Sequence, residues 1–323
     1  MGVKFLLTAW EAWLWCGAGS SLFVVSLYLV PPKLRRLRRN DPAQIKARYA
    51  AVATTTSLAV LVTRTLAQTV EGGFLFGEWI GVRPENLGLA SVLPLLLTST
   101  LFLGPIATMA CMARKRAFYE VTPLGYTRPR KNALPWYTVV GIELAEKANL
   151  DQGRYIVIRN LVVGPLAEEL VFRGCFAPLL LGAEISLVKI IWLSPLMFGV
   201  AHVHHAYEWL RQGHGLKSVM AGVIFQMTYT SLFGAFAMFV HLRTGHLVSS
   251  VLVHGLCNFM GVPDLTFNVP PGKLGESSPT SVLHAYRSGV WLCYGAGICI
   301  FFSLLVPLTS PSIYNSVLWP TPS

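Results

Sequence analysis

The sequence predicts an all-α polytopic membrane protein with about eight transmembrane helices around a buried polar cavity. The chain has 323 residues, of which 53% are hydrophobic and 13% are charged, and its mean hydropathy is +0.53. Its apolar residues form long segments separated by short basic loops, and ionisable side chains interrupt several of these segments. A helix needs about 20 apolar residues to cross a bilayer, so the whole chain is expected to form one membrane domain, residues 1–323.

Eight apolar segments qualify as spans. In chain order they are Phe5–Val30, Ala51–Val70, Leu87–Ala113, Ile156–Leu181, Ile185–His202, Val219–Leu242, Leu247–Met260 and Val282–Leu308. The seventh is short for a full crossing. The fourth and fifth are separated only by Gly182, Ala183 and Glu184, which predicts an antiparallel hairpin. The mixed stretch Trp136–Tyr155 is compatible with an interfacial helix or with a plain loop.

The basic residues give the orientation. They are concentrated in the loops Pro31–Tyr49 and Arg114–Lys131, which follow the first and third segments. The positive-inside rule places these loops in the cytosol and both chain termini on the opposite side. Because the net charge of +11 lies largely in short loops beside apolar spans, membrane lipid is the expected partner and nucleic acid is not.

The fourth segment carries the most unusual sequence, Gly164–Gly174, in which Glu168, Glu169 and Arg173 interrupt an apolar run. Charged groups at membrane depth are costly and indicate a functional site. Glu169 and Arg173 are four residues apart, so they share a helix face and can neutralise each other. Glu168 points about 100° away and lacks that partner, which suits a general base. The alternative is that all three residues form a structural ion-pair cluster.

Three further polar residues lie in apolar segments: His202 at the end of the fifth, and His254 and Asn258 one helical turn apart in the seventh. The predicted orientation brings them to the depth of Glu168, in a cavity open to the cytosol. Glu168 could take a proton from a water that His202 also holds, while His254 and Asn258 donate hydrogen bonds to an oxyanion. Three histidines just outside these segments, His204, His205 and His246, are interpreted as interfacial residues.

Two other functions use the same residues. Two histidines and a carboxylate can hold a zinc ion, although their spacing is not HExxH. The six cysteines lie in apolar segments without CxxC spacing and indicate neither a zinc ribbon nor a disulfide framework. Alternatively, the buried charges could belong to a transporter or a non-catalytic scaffold, but the inverted repeat typical of transporters is not evident.

The motif set resembles that of the CAAX-processing and bacteriocin-related membrane proteases. It comprises Glu168-Glu169-x-x-x-Arg173, Phe198-x-x-x-His202 and His254-x-x-x-Asn258. Wider stretches are similar to the eukaryotic type II CAAX prenyl endopeptidases: Pro165–Pro178, Phe198–His205, Phe225–Ala235, Arg243–Leu247 and His254–Gly261. The resemblance is strongest over about residues 160–263.

This resemblance implies an enzyme of the endoplasmic reticulum membrane. It would remove the last three residues of farnesylated or geranylgeranylated CAAX proteins, such as Ras-like GTPases. The implied mechanism depends on glutamate and requires neither a metal nor another cofactor. Glu168 and His202 would activate water, His254 and Asn258 would form the oxyanion site, and Glu169 and Arg173 would be a supporting pair.

Overall fold

The computed structural model describes residues 3–5, 7–69, 75–121, 127–129, 131–147, 153–201, 203, 206, 209–210, 212–263 and 280–319. The α-helices are α1 Ala9–Ser26, α2 Pro32–Arg35, α3 Pro42–Leu66, α4 Phe76–Trp79, α5 Leu87–Leu101, α6 Leu103–Phe118, α7 Trp136–Lys147, α8 Arg154–Ile158, α9 Gly164–Glu169, α10 Phe176–Gly182, α11 Leu187–Ala201, α12 Leu216–Thr244, α13 Leu247–Met260, α14 Thr280–Leu308 and α15 Pro311–Tyr314. Two π-helical segments, Arg159–Val163 and Leu170–Cys175, join α8, α9 and α10 into one continuous helical stretch. Short antiparallel strands pair β1 Val3–Phe5 with β2 Ala67–Thr69, and β3 Tyr119–Val121 with β4 Thr127–Pro129.

The protein is therefore predominantly helical and has the character of a membrane protein. Among the described residues, two helices are long and apolar enough to cross a membrane: α12, and Tyr286–Leu308 within α14. A third span results if the bent pair α5 and α6 crosses as one unit. Two shorter apolar helices, α11 and α13, have 15 and 14 residues. The predicted total of eight spans stays a prediction.

The third apolar segment differs from its prediction. The sequence analysis treats Leu87–Ala113 as one span, but the chain forms two helices that meet at Phe102 with a bend of 72°. Pro105 lies in the first turn of α6, where its missing N–H would be unsatisfied in any case. Gly104 and Pro105 therefore mark a new helix start, and this signal was present in the sequence.

Two other local predictions can be compared with the structure. The stretch Trp136–Tyr155 contains a helix, α7, so the helical interpretation of its first half is right and the loop interpretation is wrong. The turn between α10 and α11 is as short as predicted, and Glu184 adopts a positive φ of 58° within it. The loop 264–279 lies outside the described residues.

The described chain divides into two compact units. The first contains Met1–Pro94, Val162–His254 and Thr309–Ser323, and its core forms where α1, α3, α10 and α11 surround the π segment Leu170–Cys175. Phe172 lies at the centre of this core. Its ring meets the rings of Phe23, Phe176 and Phe198 edge to face at centroid distances of 5.7, 5.3 and 5.1 Å. Such pairs each contribute about 0.5–1.5 kcal/mol beyond the area they bury.

The second unit contains Leu95–Leu161 and Gly255–Leu308. In it α6 packs closely along α14. Gly104 faces the ring of Tyr294, and Gly297 faces the carbonyl oxygen of Thr100, so neither position has room for a Cβ atom. The prediction that residues 1–323 form a single domain stays a prediction.

Candidate active site

The two adjacent glutamates lie in α9, a six-residue helix with a π segment on each side. Pro165 at the start of α9 cannot donate the i→i−4 hydrogen bond, and this favours a local change of helical pitch. Single π turns within α-helices occur frequently at functional sites. The irregular helix thus sets the directions in which Glu168 and Glu169 point.

Glu169 and Arg173 form the predicted ion pair, with Nη1 of Arg173 2.9 Å from Oε1 of Glu169. Both side chains are buried, with exposed fractions of 0% and 1%. The guanidinium of Arg173 also lies over the rings of Phe198 and Phe233, at 4.6 and 5.8 Å from their centroids. Its other terminal nitrogen donates to the carbonyl oxygen of Gly234 at 3.5 Å. A pair held this way is costly to break, because a lone buried charge would remain.

His254 approaches the same carboxylate. Its Nδ1 lies 2.7 Å from Oε1 of Glu169, so one oxygen of Glu169 contacts both Arg173 and His254. An ionised carboxylate only accepts hydrogen bonds, so Nδ1 carries the proton in this contact. The ring lies 4.8 Å from that of Phe233, measured between centroids. Glu169 therefore fixes the orientation of His254 and leaves Nε2 available on the opposite side of the ring.

Glu168 faces that free nitrogen. Its Oε2 lies 3.8 Å from Nε2 of His254, which is longer than a direct hydrogen bond. The side chain of Glu168 is 24% exposed, whereas that of Glu169 is fully buried. The carboxylate of Glu168 can therefore be reached from outside the protein core.

Asn258 lies one helical turn beyond His254 on α13 and is exposed. Within the second unit its Nδ2 donates to the carbonyl oxygen of Asn160 at 2.9 Å. The helix also approaches the next carbonyl, that of Leu161, closely because Gly255 lacks a side chain: a Cβ there would lie 2.9 Å from the Leu161 carbonyl oxygen. An amide nitrogen carries two hydrogens, so this bond leaves one for another acceptor.

His202, like His204 and His205, lies outside the described residues. Its motif partner Phe198 is described, is only 2% exposed, and packs against Arg173 as well as Phe172. The roles predicted for Glu168, His202, His254 and Asn258 stay predictions.

The sequence analysis gave no role to Phe233 and Gly234, which contact Arg173. Both belong to the stretch Phe225–Ala235 that carries part of the resemblance, and this was the signal that could have identified them. His246, interpreted as an interfacial residue, lies in the protein interior of the first unit, and its depth in the membrane stays a prediction. Its side chain is fully buried and bonded to backbone oxygens of two segments.

Among the described residues, no three His, Cys, Asp or Glu side chains are grouped so as to hold a metal ion. His202, one ligand of the zinc alternative, is not among those residues. No disulfide bond joins any of the six cysteines, all of which lie among the described residues.

The family model described as type II CAAX prenyl endopeptidase Rce1-like matches residues 151–260. CAAX prenyl protease 2 of Homo sapiens is 32% identical over 319 residues, which cover 96% of this chain and 85% of that protein. CAAX prenyl protease 2 of Arabidopsis thaliana is 29% identical, with 93% of this chain and 90% of that protein covered. Probable CAAX prenyl protease 2 of Schizosaccharomyces pombe is 31% identical over 82% of this chain and 84% of that protein. No solved structure matches the chain.

Proposed function

The chain belongs to the type II CAAX prenyl endopeptidase family, and we propose that it removes the C-terminal tripeptide of prenylated CAAX proteins by glutamate-dependent hydrolysis. The observation that supports this most directly is the pair of unlike glutamates. Glu169 is buried and engaged with Arg173 and His254, whereas Glu168 is partly exposed and faces Nε2 of His254 at 3.8 Å. One carboxylate supports the site, and the other is free to react.

In the proposed reaction Glu168, assisted by His202, accepts a proton from water as the water oxygen attacks the scissile carbonyl carbon. The resulting oxyanion receives hydrogen bonds from Nε2 of a doubly protonated His254 and from the amide of Asn258. The C–N bond then breaks, and Glu168 returns its proton to the leaving amine of the tripeptide. The prenylated cysteine keeps the new carboxylate.

The negative charge of Glu169 has a defined part in this scheme. It accepts the hydrogen bond from Nδ1 of His254 and thereby holds the ring with Nε2 towards Glu168. Arg173 neutralises the same carboxylate, which lets the group remain in an apolar core. Glu169 and Arg173 are therefore supporting residues in the proposal.

The proposed substrates are farnesylated or geranylgeranylated CAAX proteins such as Ras-like GTPases. The proposed location is the endoplasmic reticulum membrane, with eight spans and a polar cavity that opens to the cytosol. The concentration of basic residues in the loops Pro31–Tyr49 and Arg114–Lys131 supports this orientation.

The decisive assay uses the purified full-length protein in lipid nanodiscs with a farnesylated CAAX peptide. We expect release of the tripeptide, and no release from the same peptide without the isoprenoid. Absence of release from the prenylated peptide would favour a transporter or scaffold. Equal cleavage of both peptides would contradict the substrate class.

The zinc alternative is tested in the same assay. If side chains alone activate the water, treatment with a strong chelator followed by metal analysis leaves turnover intact. A stoichiometric metal whose removal abolishes turnover, and whose return restores it, would replace the proposed mechanism by metal-assisted hydrolysis.

A further inference from the structure

The first turn of α13, the helix that carries His254, and His246 just before it are bonded to the segment Gly81–Ala90 at three points. The backbone N–H of Leu247 donates to the carbonyl oxygen of Gly81 at 2.8 Å. The Nε2 of His246 lies 2.6 Å from the carbonyl oxygen of Glu85, and Oγ of Ser249 donates to that of Ala90 at 2.7 Å. The side chains of His246 and Ser249 are fully buried.

His246 is held on both sides of its ring. Its Nδ1 lies 2.7 Å from the carbonyl oxygen of Thr244, the last residue of α12, while Nε2 contacts Glu85. Both ring nitrogens thus lie within hydrogen-bonding distance of a backbone carbonyl oxygen. The single side chain therefore connects three parts of the first unit: the end of α12, the start of α13 and the segment before α5.

Glycine permits this close approach. Gly81 has a positive φ of 82°, and a Cβ there would lie 2.6 Å from the backbone nitrogen of Leu247. Gly245, which ends α12 with a φ of 65°, is equally restricted, because a Cβ would lie 2.8 Å from Oγ of Ser316. The junction between α12 and α13 is packed on two sides by backbone and short side chains, so the helix has little freedom to rotate about its axis.

His254 lies about two turns after the start of α13. Side chains reach about 5–6 Å from a helix axis, so a rotation of about 10° displaces the ring by about 1 Å. A misplacement of about 1 Å in an active site can cost about 10²-fold in rate. The contact at risk is the 2.7 Å bond between His254 and Glu169, together with the 3.8 Å approach to Glu168.

We propose that His246 and Ser249 are positioning residues that fix the rotation of α13 and thereby aim His254 at the two glutamates. The inference rests on the proposed catalytic role of His254. Neither residue contacts the carboxylates in this arrangement; both act through the helix. The charged groups that face or adjoin His254 are Glu168 and Glu169, and Arg173 shares the carboxylate of Glu169.

The test compares His246→Phe and Ser249→Ala with Ser250→Ala. Phenylalanine keeps a ring in the buried site but donates no hydrogen bond. Ser250 is a matched control because it is equally buried in the same helix turn, but its Oγ donates to the carbonyl oxygen of Leu247 within the helix. For each full-length variant in nanodiscs, kcat, KM, the melting temperature and the pH dependence of kcat are measured per folded molecule.

We expect Ser249→Ala and His246→Phe to lower kcat about tenfold, to change KM little, and to shift the pH profile of kcat, because the environment of His254 changes. Ser250→Ala should match the wild type. A purely structural role would lower the melting temperature and the folded fraction, but would leave the shape of the pH profile unchanged. That result would overturn the proposal. If His246→Phe fails to fold, the kcat and pH profile of Ser249→Ala are sufficient to test the positioning role.

Glu168→Gln is measured alongside these variants. If it retains turnover, the proposed function fails whatever the other variants do. If it is inactive while Ser249→Ala has the kcat and pH profile of Ser250→Ala, only the positioning role fails.

Discussion

Glu168 and Glu169 are neighbours in the sequence but have different environments, and this difference predicts different effects of the same substitution. Glu168→Gln keeps the shape of the side chain and removes its ability to accept a proton. We expect turnover to fall by about 10²–10⁴-fold with an unchanged melting temperature, because Glu168 is partly exposed and its replacement leaves no buried charge without a partner. Tripeptide release per folded molecule measures this effect. Glu184→Gln, in the exposed turn after α10, is the matched control, and a variant retaining a tenth of the turnover would contradict the assignment.

Glu169→Gln should instead destabilise the protein. The amide cannot neutralise Arg173, whose side chain is 1% exposed, and breaking a buried pair costs roughly 3–5 kcal/mol. Thermal unfolding in detergent measures the loss. If the effect comes from the isolated cation, the double substitution Glu169→Gln with Arg173→Met should cost less than the sum of the two single substitutions. Additive losses would mean that the pair is not the cause.

Asn258 has two possible roles that one pair of measurements separates. If its amide stabilises the oxyanion, Asn258→Ala lowers kcat by about 10²–10³-fold and leaves KM nearly unchanged, since the full charge exists only in the transition state. Asn258→Asp should be at least as harmful, because a carboxylate repels the oxyanion. If the bond to the Asn160 carbonyl is its only role, both variants melt earlier and keep a normal rate per folded molecule.

At the scale of residues, the sequence predicted contacts between residues that are close along the chain. The spacing of Glu169 and Arg173 predicted their ion pair, because residues four apart share a helix face. The contact of Glu169 with His254 joins residues 85 positions apart, and that of His246 with Glu85 joins residues 161 apart. Such contacts depend on how helices pack, which no local pattern encodes. This is why the sequence pattern did not predict the buried contacts of His246.

At the scale of elements, the helices α11 and α12 approach each other through two glycines. Gly199 faces Oγ of Ser231 without room for a Cβ, and a Cβ on Gly234 would lie 2.8 Å from Cβ of Pro195 and 3.3 Å from a terminal nitrogen of Arg173. Since the proline ring cannot rotate away, Gly234→Ala must move the helices apart.

We therefore expect Gly234→Ala to lower the free energy of unfolding by about 1–3 kcal/mol, the usual cost of overpacking, and to reduce turnover by displacing Arg173. Gly289→Ala in α14 is the matched control, because a Cβ there meets nothing within 4 Å. It should be neutral or gain up to about 1 kcal/mol from helix propensity. Equal melting temperatures for the two variants would show that the α11–α12 contact tolerates a methyl group.

Several element boundaries were predictable from apolar segments, but α3 begins at Pro42, inside the predicted loop Pro31–Tyr49, because its first turns are polar. The irregularities within helices were only partly predictable. The bend at Phe102 follows from Pro105, a signal that was present and was not used. The two π segments that flank α9 have no comparable sequence mark beyond Pro165, because a change of pitch also depends on what packs against the helix. The directions of Glu168 and Glu169 could therefore not be derived from an ideal helix.

At the scale of the whole molecule, composition was sufficient to predict a helical membrane protein, while the number of spans was harder to derive. The helices α11 and α13 have 15 and 14 residues, which is shorter than the roughly 20 needed for a full crossing. Length and hydropathy alone therefore do not decide whether they cross. Loop charge is an independent criterion, since it depends on which side of the membrane each loop occupies and not on helix length.

That criterion leads to a prediction for the intact protein. In a background in which the six native cysteines are replaced, one cysteine is introduced at a time and labelled with a membrane-impermeant thiol reagent in sealed membrane vesicles of known orientation. A cysteine in Pro31–Tyr49 or Arg114–Lys131 should react from the cytosolic side, because seven basic residues of the first loop alone favour that side. A cysteine near Met1 or Ser323 should react only after detergent opens the vesicles. The reverse pattern would place the proposed polar cavity on the luminal side, where a prenylated cytosolic protein could not reach Glu168.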